Sequence, residues 1–241
     1  MQLNDKIAIV TGASGGIGKS FSKLLIEKGA TVYGLARRSE KLEEIRDMFG
    51  NRFRPVVMDV TDPDAIDNWV NETFSREHQP DILVNNAGVA SFGNVDELSI
   101  DAWHQMMETN VDGVFYLTRQ IVPLMKRNPE VCHIINISSV AGLLGNPKIS
   151  AYNATKFAIR GLSEALFKEL RYDGIKVSCM FPGSIATDFF DNANAGGTHP
   201  NMMHPDDVGK TLIHLLETPD NFLINEVTMR PLNPKPPEER D

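Results

Sequence analysis

Short apolar runs rich in β-branched residues alternate along this chain with longer segments of helical periodicity. This alternation is typical of repeated βαβ units, because consecutive parallel strands need a crossover connection between them. It predicts an α/β fold with a doubly wound parallel sheet of about seven strands and helices on both faces. The predicted strands are 6–11, 31–35, 54–58, 82–84, 131–137, 176–180 and 223–228, and the predicted helices are 17–28, 40–48, 63–75, 100–126, 151–171 and 205–216.

The length of 241 residues and a hydrophobic content of 41% are sufficient for one large core. We therefore expect a single domain over residues 1–241. Two segments have irregular composition: we expect residues 189–204 to form a mobile loop and residues 231–241 to form an extended C-terminal tail.

A net charge of −8 argues against nucleic acid or an anionic membrane as the partner and favours a small-molecule substrate. No apolar stretch is long enough for a signal peptide or a membrane span, so we expect a cytoplasmic protein.

Cys132 and Cys179 lie in apolar runs and are expected to be free core thiols. His199 and His204 lack the spacing of a zinc site, and no metal is expected.

A glycine-rich segment, Thr-Gly-Ala-Ser-Gly-Gly-Ile-Gly at 11–18, follows the first predicted strand and opens the first predicted helix. Gly12 would permit a tight turn, Gly16 a close approach of backbone to a pyrophosphate, and Gly18 close packing of the helix. Unpaired N–H groups at the helix start attract phosphates. The spacing is one residue longer than the usual dinucleotide fingerprint, and a ligand-free turn is the alternative. In this context the segment predicts a dinucleotide site.

Arginines occupy the position after the second strand where a carboxylate would accept both ribose hydroxyls of NAD. The sequence there is Leu-Ala-Arg-Arg-Ser at 35–39. The guanidinium group of Arg37 can bind a 2′-phosphate through charge-assisted hydrogen bonds and is expected to be the main discriminator, with Arg38 and the Ser14 hydroxyl as secondary contacts. NADP is therefore favoured over NAD; the alternative is that both arginines are only solvated.

Tyr152 and Lys156 lie four residues apart in a predicted helix and so share one helix face. A phenol titrates near pH ~10 in water, and a neighbouring cation lowers its pKa toward neutrality. Such a phenol can donate or accept a proton in catalysis. A solvated pair without chemistry is the alternative.

Several motifs occur in one order along nearly the whole chain. They are the glycine segment at 11–18, Asn-Asn-Ala-Gly at 85–88, Asn110, Ser139 placed 13 residues before Tyr152, Tyr-x3-Lys, and Pro182-Gly183. In this set the chain resembles the single-domain form of the short-chain dehydrogenase/reductase family. The C-terminal region departs from the family pattern, because residues 223–232 lack the common glycine-rich strand, which puts subunit contacts at that edge in doubt.

The resemblance implies a Rossmann-type domain that carries both the cofactor and the substrate site. Tyr152 would be the general acid or base, Ser139 would hydrogen-bond the substrate oxygen, and Lys156 would hold the nicotinamide ribose and lower the phenol pKa. Asn110 would retain a water molecule in a proton relay. The implied cofactor contacts are Gly12, Ser14, Gly16, Ile17, Gly18, Arg37, Arg38, Asp59, Val60, Asn86, Ala87, Gly88, Tyr152, Lys156, Pro182, Gly183, Ile185 and Thr187.

Together these features predict an oxidoreductase that transfers hydride between NADP(H) and a carbonyl or secondary alcohol, most simply an NADPH-dependent ketone or aldehyde reductase. A homotetramer or homodimer joined through helices 100–126 and 151–171 is expected. A dehydratase or epimerase on the same scaffold and a non-catalytic NADP-binding regulatory module remain alternatives. An apolar pocket mouth is also expected, formed by Met180, Phe181, Phe189, Phe190, Met202 and Met203, although core or lid packing explains these residues equally well.

Overall fold

A computed structural model describes residues 1–189 and 197–234. One sheet of seven strands lies at its centre, in the order β3-β2-β1-β4-β5-β6-β7, and every neighbouring pair is parallel. The strands are β1 Ile7–Thr11, β2 Thr31–Ala36, β3 Phe53–Val57, β4 Ile82–Asn85, β5 Cys132–Ile137, β6 Ile175–Pro182 and β7 Glu226–Met229. This is the predicted Rossmann-type sheet.

Helices connect the strands and cover both faces of the sheet. They are α1 Gly16–Glu27, α2 Ser39–Phe49, α3 Pro63–Thr73, α4 Ile100–Met107, α5 Gly113–Met125, α6 Ser150–Leu170 and α7 Pro205–Leu216. Side chains cap two of these helices: the Asp62 side chain accepts the N–H of Ala65 at the start of α3, and the Ser99 side chain accepts that of Ala102 at the start of α4. His204 makes no such bond with its side chain.

The strands β4, β5 and β6 are buried along their whole length, because helices cover both faces of the sheet there. In β1, Ala8 and Val10 pack with Phe21 and Leu212 in one cluster, whereas Ile9 belongs to the cluster on the opposite face. All five side chains are fully buried. The two hydrophobic clusters therefore pack against the central strands from both faces and hold their carboxyl ends in place.

The strand order reverses between β1 and β4, because the chain moves outward to β3 on one side and to β7 on the other. In open α/β sheets a ligand crevice forms at the carboxyl ends of the strands at this reversal. The segments after β1, β4, β5 and β6 meet there. These segments carry most of the residues that the sequence analysis selected.

The predicted helix over 100–126 is wrong in one respect. A π-helical turn, Glu108–Asp112, separates α4 from α5. Its physical cause is Asn110, whose side chain turns inward and exchanges hydrogen bonds with the backbone of Val89. Such single π turns are frequent at functional sites.

The last strand also begins later than predicted, at Glu226 rather than at residue 223. The buried Lys176 ammonium donates to the carbonyl oxygens of Pro219 and Phe222, at 2.6 and 2.8 Å. These bonds hold the preceding segment in a turn.

Cys132 and Cys179 are buried free thiols, as predicted. Among the described residues, no helix combines the length and apolar character needed to cross a membrane. Within the same residues, no group of three or more His, Cys, Asp and Glu side chains is arranged to hold a metal ion. The predicted loop at 189–204 and tail at 231–241 are described only in part: residues 190–196, including Phe190, and residues 235–241 lie outside the described residues.

Candidate active site

Thr11, at the end of β1, ties the two central strands together at the reversal of strand order. Its hydroxyl oxygen accepts the backbone N–H groups of Asn86 and Ala87, each at 2.8 Å, and it lies 3.4 Å from the carbonyl oxygen of Val84. In return, the Asn86 amide donates to the carbonyl of Thr11 at 2.8 Å. These bonds fix the segment after β4 against the glycine turn after β1.

The glycine turn is packed so closely that side chains are excluded at two positions. Gly12 has φ +67°, and a Cβ there would lie 2.8 Å from the Asn86 amide nitrogen. A Cβ on Gly18 would meet both that nitrogen, at 2.7 Å, and the carbonyl oxygen of Gly12. Gly18 therefore does not line the cleft. Its lack of a side chain lets α1 pack directly against the glycine turn.

A cleft of about 740 Å³ opens at this edge of the sheet. All but one of the predicted cofactor residues line it: Gly12, Ser14, Gly16, Ile17, Arg37, Arg38, Asp59, Val60, Asn86, Ala87, Gly88, Tyr152, Lys156, Pro182, Gly183, Ile185 and Thr187. The exception is Gly18. The structure thus brings together residues from the ends of five strands and from α6.

The residues present fit a dinucleotide. The N-cap of α1 is Gly15, which has no side chain to cap the N–H groups of the first turn. Such a helix start is a binding site for phosphate. At the end of β2, Arg38 donates to the Ser14 hydroxyl at 2.9 Å, while the Arg37 guanidinium lies 3.8 Å from the Asp59 carboxylate. Two cations therefore flank the glycine turn, with Arg38 the one directly attached to it.

Tyr152 and Lys156 face each other as their spacing predicts, with the ammonium nitrogen 5.6 Å from the centre of the phenol ring. Both side chains are buried. Lys156 donates to the carbonyl of Ile137 at 2.9 Å. Ser139 follows β5 in the same cleft and accepts the N–H of Ala141 at 3.2 Å. Its hydroxyl donates to the carbonyl of Pro182 at 3.3 Å.

The electrostatics of this pair correct one expectation. Burial raises the pKa of the Tyr152 phenol, and a hydrogen bond with Ser139 opposes this rise. Burial also lowers the pKa of Lys156, to about 8. The expected depression of the phenol pKa by Lys156 is therefore not found, because desolvation outweighs the attraction of an ammonium that is itself only partly charged near pH 8.

Asn110 lies behind the cleft rather than in its wall. Its side chain is buried and donates to the carbonyl of Val89 at 2.9 Å and to the Thr155 hydroxyl at 3.1 Å. It also accepts the N–H of Val89 at 2.8 Å. A Cβ on Gly88 would lie 3.3 Å from the Asn110 amide oxygen and 3.7 Å from the Lys156 ammonium. Asn110 thus joins α4, α5 and α6 beneath the segment after β4.

Several residues of the site were not selected from the sequence. The Asn153 amide donates to the carbonyls of Ala141 and Leu144, at 2.6 and 2.9 Å, and holds the loop between β5 and α6. The Ser138 hydroxyl donates to the carbonyl of Lys156 at 2.8 Å. The only sequence signal was the clustering of short polar residues after β5 and at the start of α6. The cleft wall further includes Phe92, Gln105, Thr109, Asn146, Ile149 and Asp188.

Replacement of Thr11 tests the link between β1 and β4. Thr11→Val keeps the shape but leaves the N–H groups of Asn86 and Ala87 without their acceptor. We expect a loss of about 1–3 kcal/mol in the free energy of unfolding, measured by urea denaturation. Thr11→Ser retains the hydroxyl and is the matched control. Equal stability of the Val and Ser variants would contradict this role.

The lowered pKa of Lys156 makes stability depend on pH with a defined sign. The unfolded chain keeps this lysine protonated up to its ordinary pKa, whereas the folded chain begins to release the proton near pH 8. The free energy of unfolding of the wild type, compared with that of the Lys156→Met variant, should therefore rise between about pH 8 and about pH 10. The expected rise is on the order of a few kcal/mol. Urea unfolding across this window measures it, and a difference independent of pH would contradict the buried, partly neutral lysine.

Comparison with known proteins supports one family. The family described as short chain dehydrogenase matches residues 6–197. An oxidoreductase of Staphylococcus saprophyticus is 33% identical over 96% of this chain and 100% of its own length. An oxidoreductase of Staphylococcus aureus is 31% identical over 95% of this chain and 99% of its own.

Solved structures agree. A serine dehydrogenase in complex with NADP+ has a TM-score of 0.87 and 31% identity, over 92% of this chain and 94% of its own. A serine dehydrogenase from Escherichia coli has a TM-score of 0.82 and 32% identity, over 92% of this chain and 96% of its own. The 3-ketoacyl-(acyl-carrier-protein) reductase from Brucella melitensis, in complex with NADH, has a TM-score of 0.87 and 26% identity, over 97% of this chain and 100% of its own. This chain belongs to the short-chain dehydrogenase/reductase family of oxidoreductases.

Proposed function

We propose that the protein is an NADPH-dependent reductase of ketones or aldehydes, with one domain that holds both the cofactor and the substrate. The observation that carries the proposal is the convergence of Ser139, Tyr152 and Lys156 in the cleft that begins at the glycine turn. NADPH supplies the hydride when bound. The chain itself supplies position, a proton and a hydrogen bond to the oxygen.

Tyr152 is the proposed proton donor. Because burial raises its pKa, the phenol is protonated throughout the neutral range and can neutralise the oxygen that becomes an alkoxide. Ser139 is proposed to hold that oxygen. Its present bonds, 3.2 and 3.3 Å long, are at the weak end of the range, so a substrate oxygen can compete for the hydroxyl.

Lys156 is proposed to bind the ribose next to the nicotinamide and to electrostatically favour the developing phenolate. Its ammonium already lies beneath the Tyr152 ring, held by the carbonyl of Ile137. Asn110 is proposed to support a water-mediated proton path to Lys156. The π turn in which Asn110 lies and its closeness to Gly88 favour this role.

The choice of NADP over NAD is supported by Arg37 and Arg38, which line the cleft directly after β2, at the position in the sequence where a carboxylate would favour NAD. The serine dehydrogenase relative in complex with NADP+ agrees with it. The reductase in complex with NADH shows that the fold alone does not decide the cofactor. Oxidation of serine or a similar hydroxy acid is a second candidate function, favoured by likeness to two serine dehydrogenases.

A homodimer or homotetramer is also proposed. Three aromatic side chains on the helices after β4 and β5 are unusually exposed: Trp103 by 40%, Phe115 by 50% and Phe157 by 43%. Exposed apolar faces of this kind are typical of subunit interfaces.

Replacement of either arginine should weaken NADPH binding selectively. Arg37→Ala and Arg38→Ala are each expected to lose about 1.5–3 kcal/mol of NADPH binding, because a hydrogen bond to a charged group is removed, and to leave NADH nearly unchanged. Arg127→Ala, outside the cleft wall, is the control. Titration calorimetry with both cofactors measures this, and equal losses for NADPH and NADH would remove the basis for the assignment.

Tyr152→Phe should abolish carbonyl reduction while NADPH binding persists, since only one oxygen is removed. Turnover should fall by at least about 10²–10⁴-fold. The assay follows NADPH absorbance with a panel of ketones and aldehydes. Retention of more than about a tenth of wild-type turnover would exclude Tyr152 as the acid.

The same assay on the wild type separates the alternative functions. A substrate that is converted without net NADPH consumption would indicate a dehydratase or epimerase, and absence of any conversion would indicate a regulatory module.

Light scattering at micromolar concentration should give the mass of a dimer or tetramer. Phe115→Glu is expected to shift the mass toward that of one chain, because a charge would be buried in the proposed interface. Met48→Glu, at an equally exposed apolar position on α2, is the control. A wild-type mass of one chain would contradict the proposal.

A further inference from the structure

Positive charge is unevenly distributed along the cleft. Among the described residues of its wall, the cations are Arg37, Arg38 and Lys156. Both arginines follow β2, three strand spacings from β5, roughly 14 Å. Lys156 is turned toward the carbonyl of Ile137, beneath the phenol. The two arginines therefore belong to the proposed cofactor end of the cleft, and Lys156 is a buried cation beneath Tyr152.

The other end of the cleft is walled mainly by apolar side chains. Phe92 and Phe189 both lie next to Tyr152, with ring centres 6.1 and 5.9 Å from that of the phenol and ring planes tilted by 56° and 52°. Ile149 packs into the same cluster. The polar wall residues here, Gln105 and Asn146, are uncharged.

An acid of the described cleft wall, Asp188, directly precedes Phe189 along the chain. It follows Thr187 and is exposed at the mouth of the cleft. A carboxylate held between Phe92 and Phe189 would lose water, and the nearest cation of the described wall, Lys156, is buried beneath the phenol with its ammonium bonded to the carbonyl of Ile137.

We propose that the substrates are uncharged carbonyl compounds with an apolar substituent, and that carboxylates, including hydroxy acids and amino acids, are rejected. This inference rests on the proposed reductase function and narrows it. The aromatic walls provide apolar contact next to the reacting carbonyl. Discrimination comes from Asp188 and from the burial of Lys156, the one cation near Tyr152 among the described wall residues. Oxidation of serine is disfavoured on the same ground.

A matched pair of probes tests the proposal. Methyl benzoylpropionate and benzoylpropionate share one ketone, and two methylene groups insulate that ketone from the ester or the carboxylate. At saturating NADPH, kcat/KM for the ester should exceed that for the acid by at least about tenfold. Equal values, a preference for the acid, or turnover of L-serine with NADP+ would overturn the proposal.

Binding separates this inference from the reductase function. Calorimetric titration of both probes into the complex with NADP+ should show the ester bound at least about tenfold more tightly, whether or not turnover occurs. Tighter binding of the ester without reduction of any carbonyl would refute the reductase function and leave the substrate class standing. Equal or tighter binding of the acid would overturn the substrate class.

Variants of Asp188 identify the source of discrimination. Asp188→Lys should narrow the preference for the ester by about two- to fivefold, since an exposed charge acts weakly through solvent, and Asp188→Asn should narrow it less. Phe92→Leu should preserve the preference, whereas Phe92→Asn should lower kcat/KM for the ester several-fold. If Asp188→Lys keeps the full preference for the ester over the acid and Phe92→Asn keeps full activity with the ester, then Asp188 and Phe92 do not contact the substrate as proposed.

Discussion

The hydrogen bonds between Thr11 and the Asn86-Ala87 segment are the contact on which the rest of the site depends. They join β1 and β4, the two strands between which the sheet reverses its order. The Asn86 amide lies so close to Gly12 and Gly18 that neither position tolerates a side chain without movement. A single amide thus sets the turn after β1, the approach of α1 and the wall after β4. The phosphate-binding end of the cleft is a consequence of this packing rather than of the glycines alone.

Burial governs the chemistry at the other end of the cleft. The same desolvation that keeps the Tyr152 phenol protonated also lowers the pKa of Lys156, so the two groups are shifted in opposite directions by one cause. A protonated phenol suits proton donation, and an ammonium close to its pKa responds strongly to a nearby anion or dipole. The buried polar bonds of Asn110 and Ser138 keep both groups in place from below.

The sequence predicted the sheet well because its strands are buried on both faces and therefore read as continuous apolar runs bounded by glycine and polar residues. The glycine turn, Tyr152 and Lys156 were also predictable, since each depends on local spacing. The π turn at Asn110, the loop held by Asn153 and the attachment of Arg38 to Ser14 were not, because each depends on a partner far away along the chain. The pKa of Tyr152 was predicted in the wrong direction, since helical spacing reports a neighbouring cation but not burial.

The central claim is that this edge of the sheet directs hydride from NADPH to a carbonyl carbon while Tyr152 supplies the proton. The most direct measurement uses NADPH fully deuterated at the hydride-bearing carbon of the nicotinamide, with methyl benzoylpropionate as the acceptor and mass spectrometry of the product. The account predicts one deuterium on the carbinol carbon of the alcohol and none on its oxygen after exchange in water. Alcohol without deuterium at that carbon, or recovered ketone with unchanged NADPH, would contradict it.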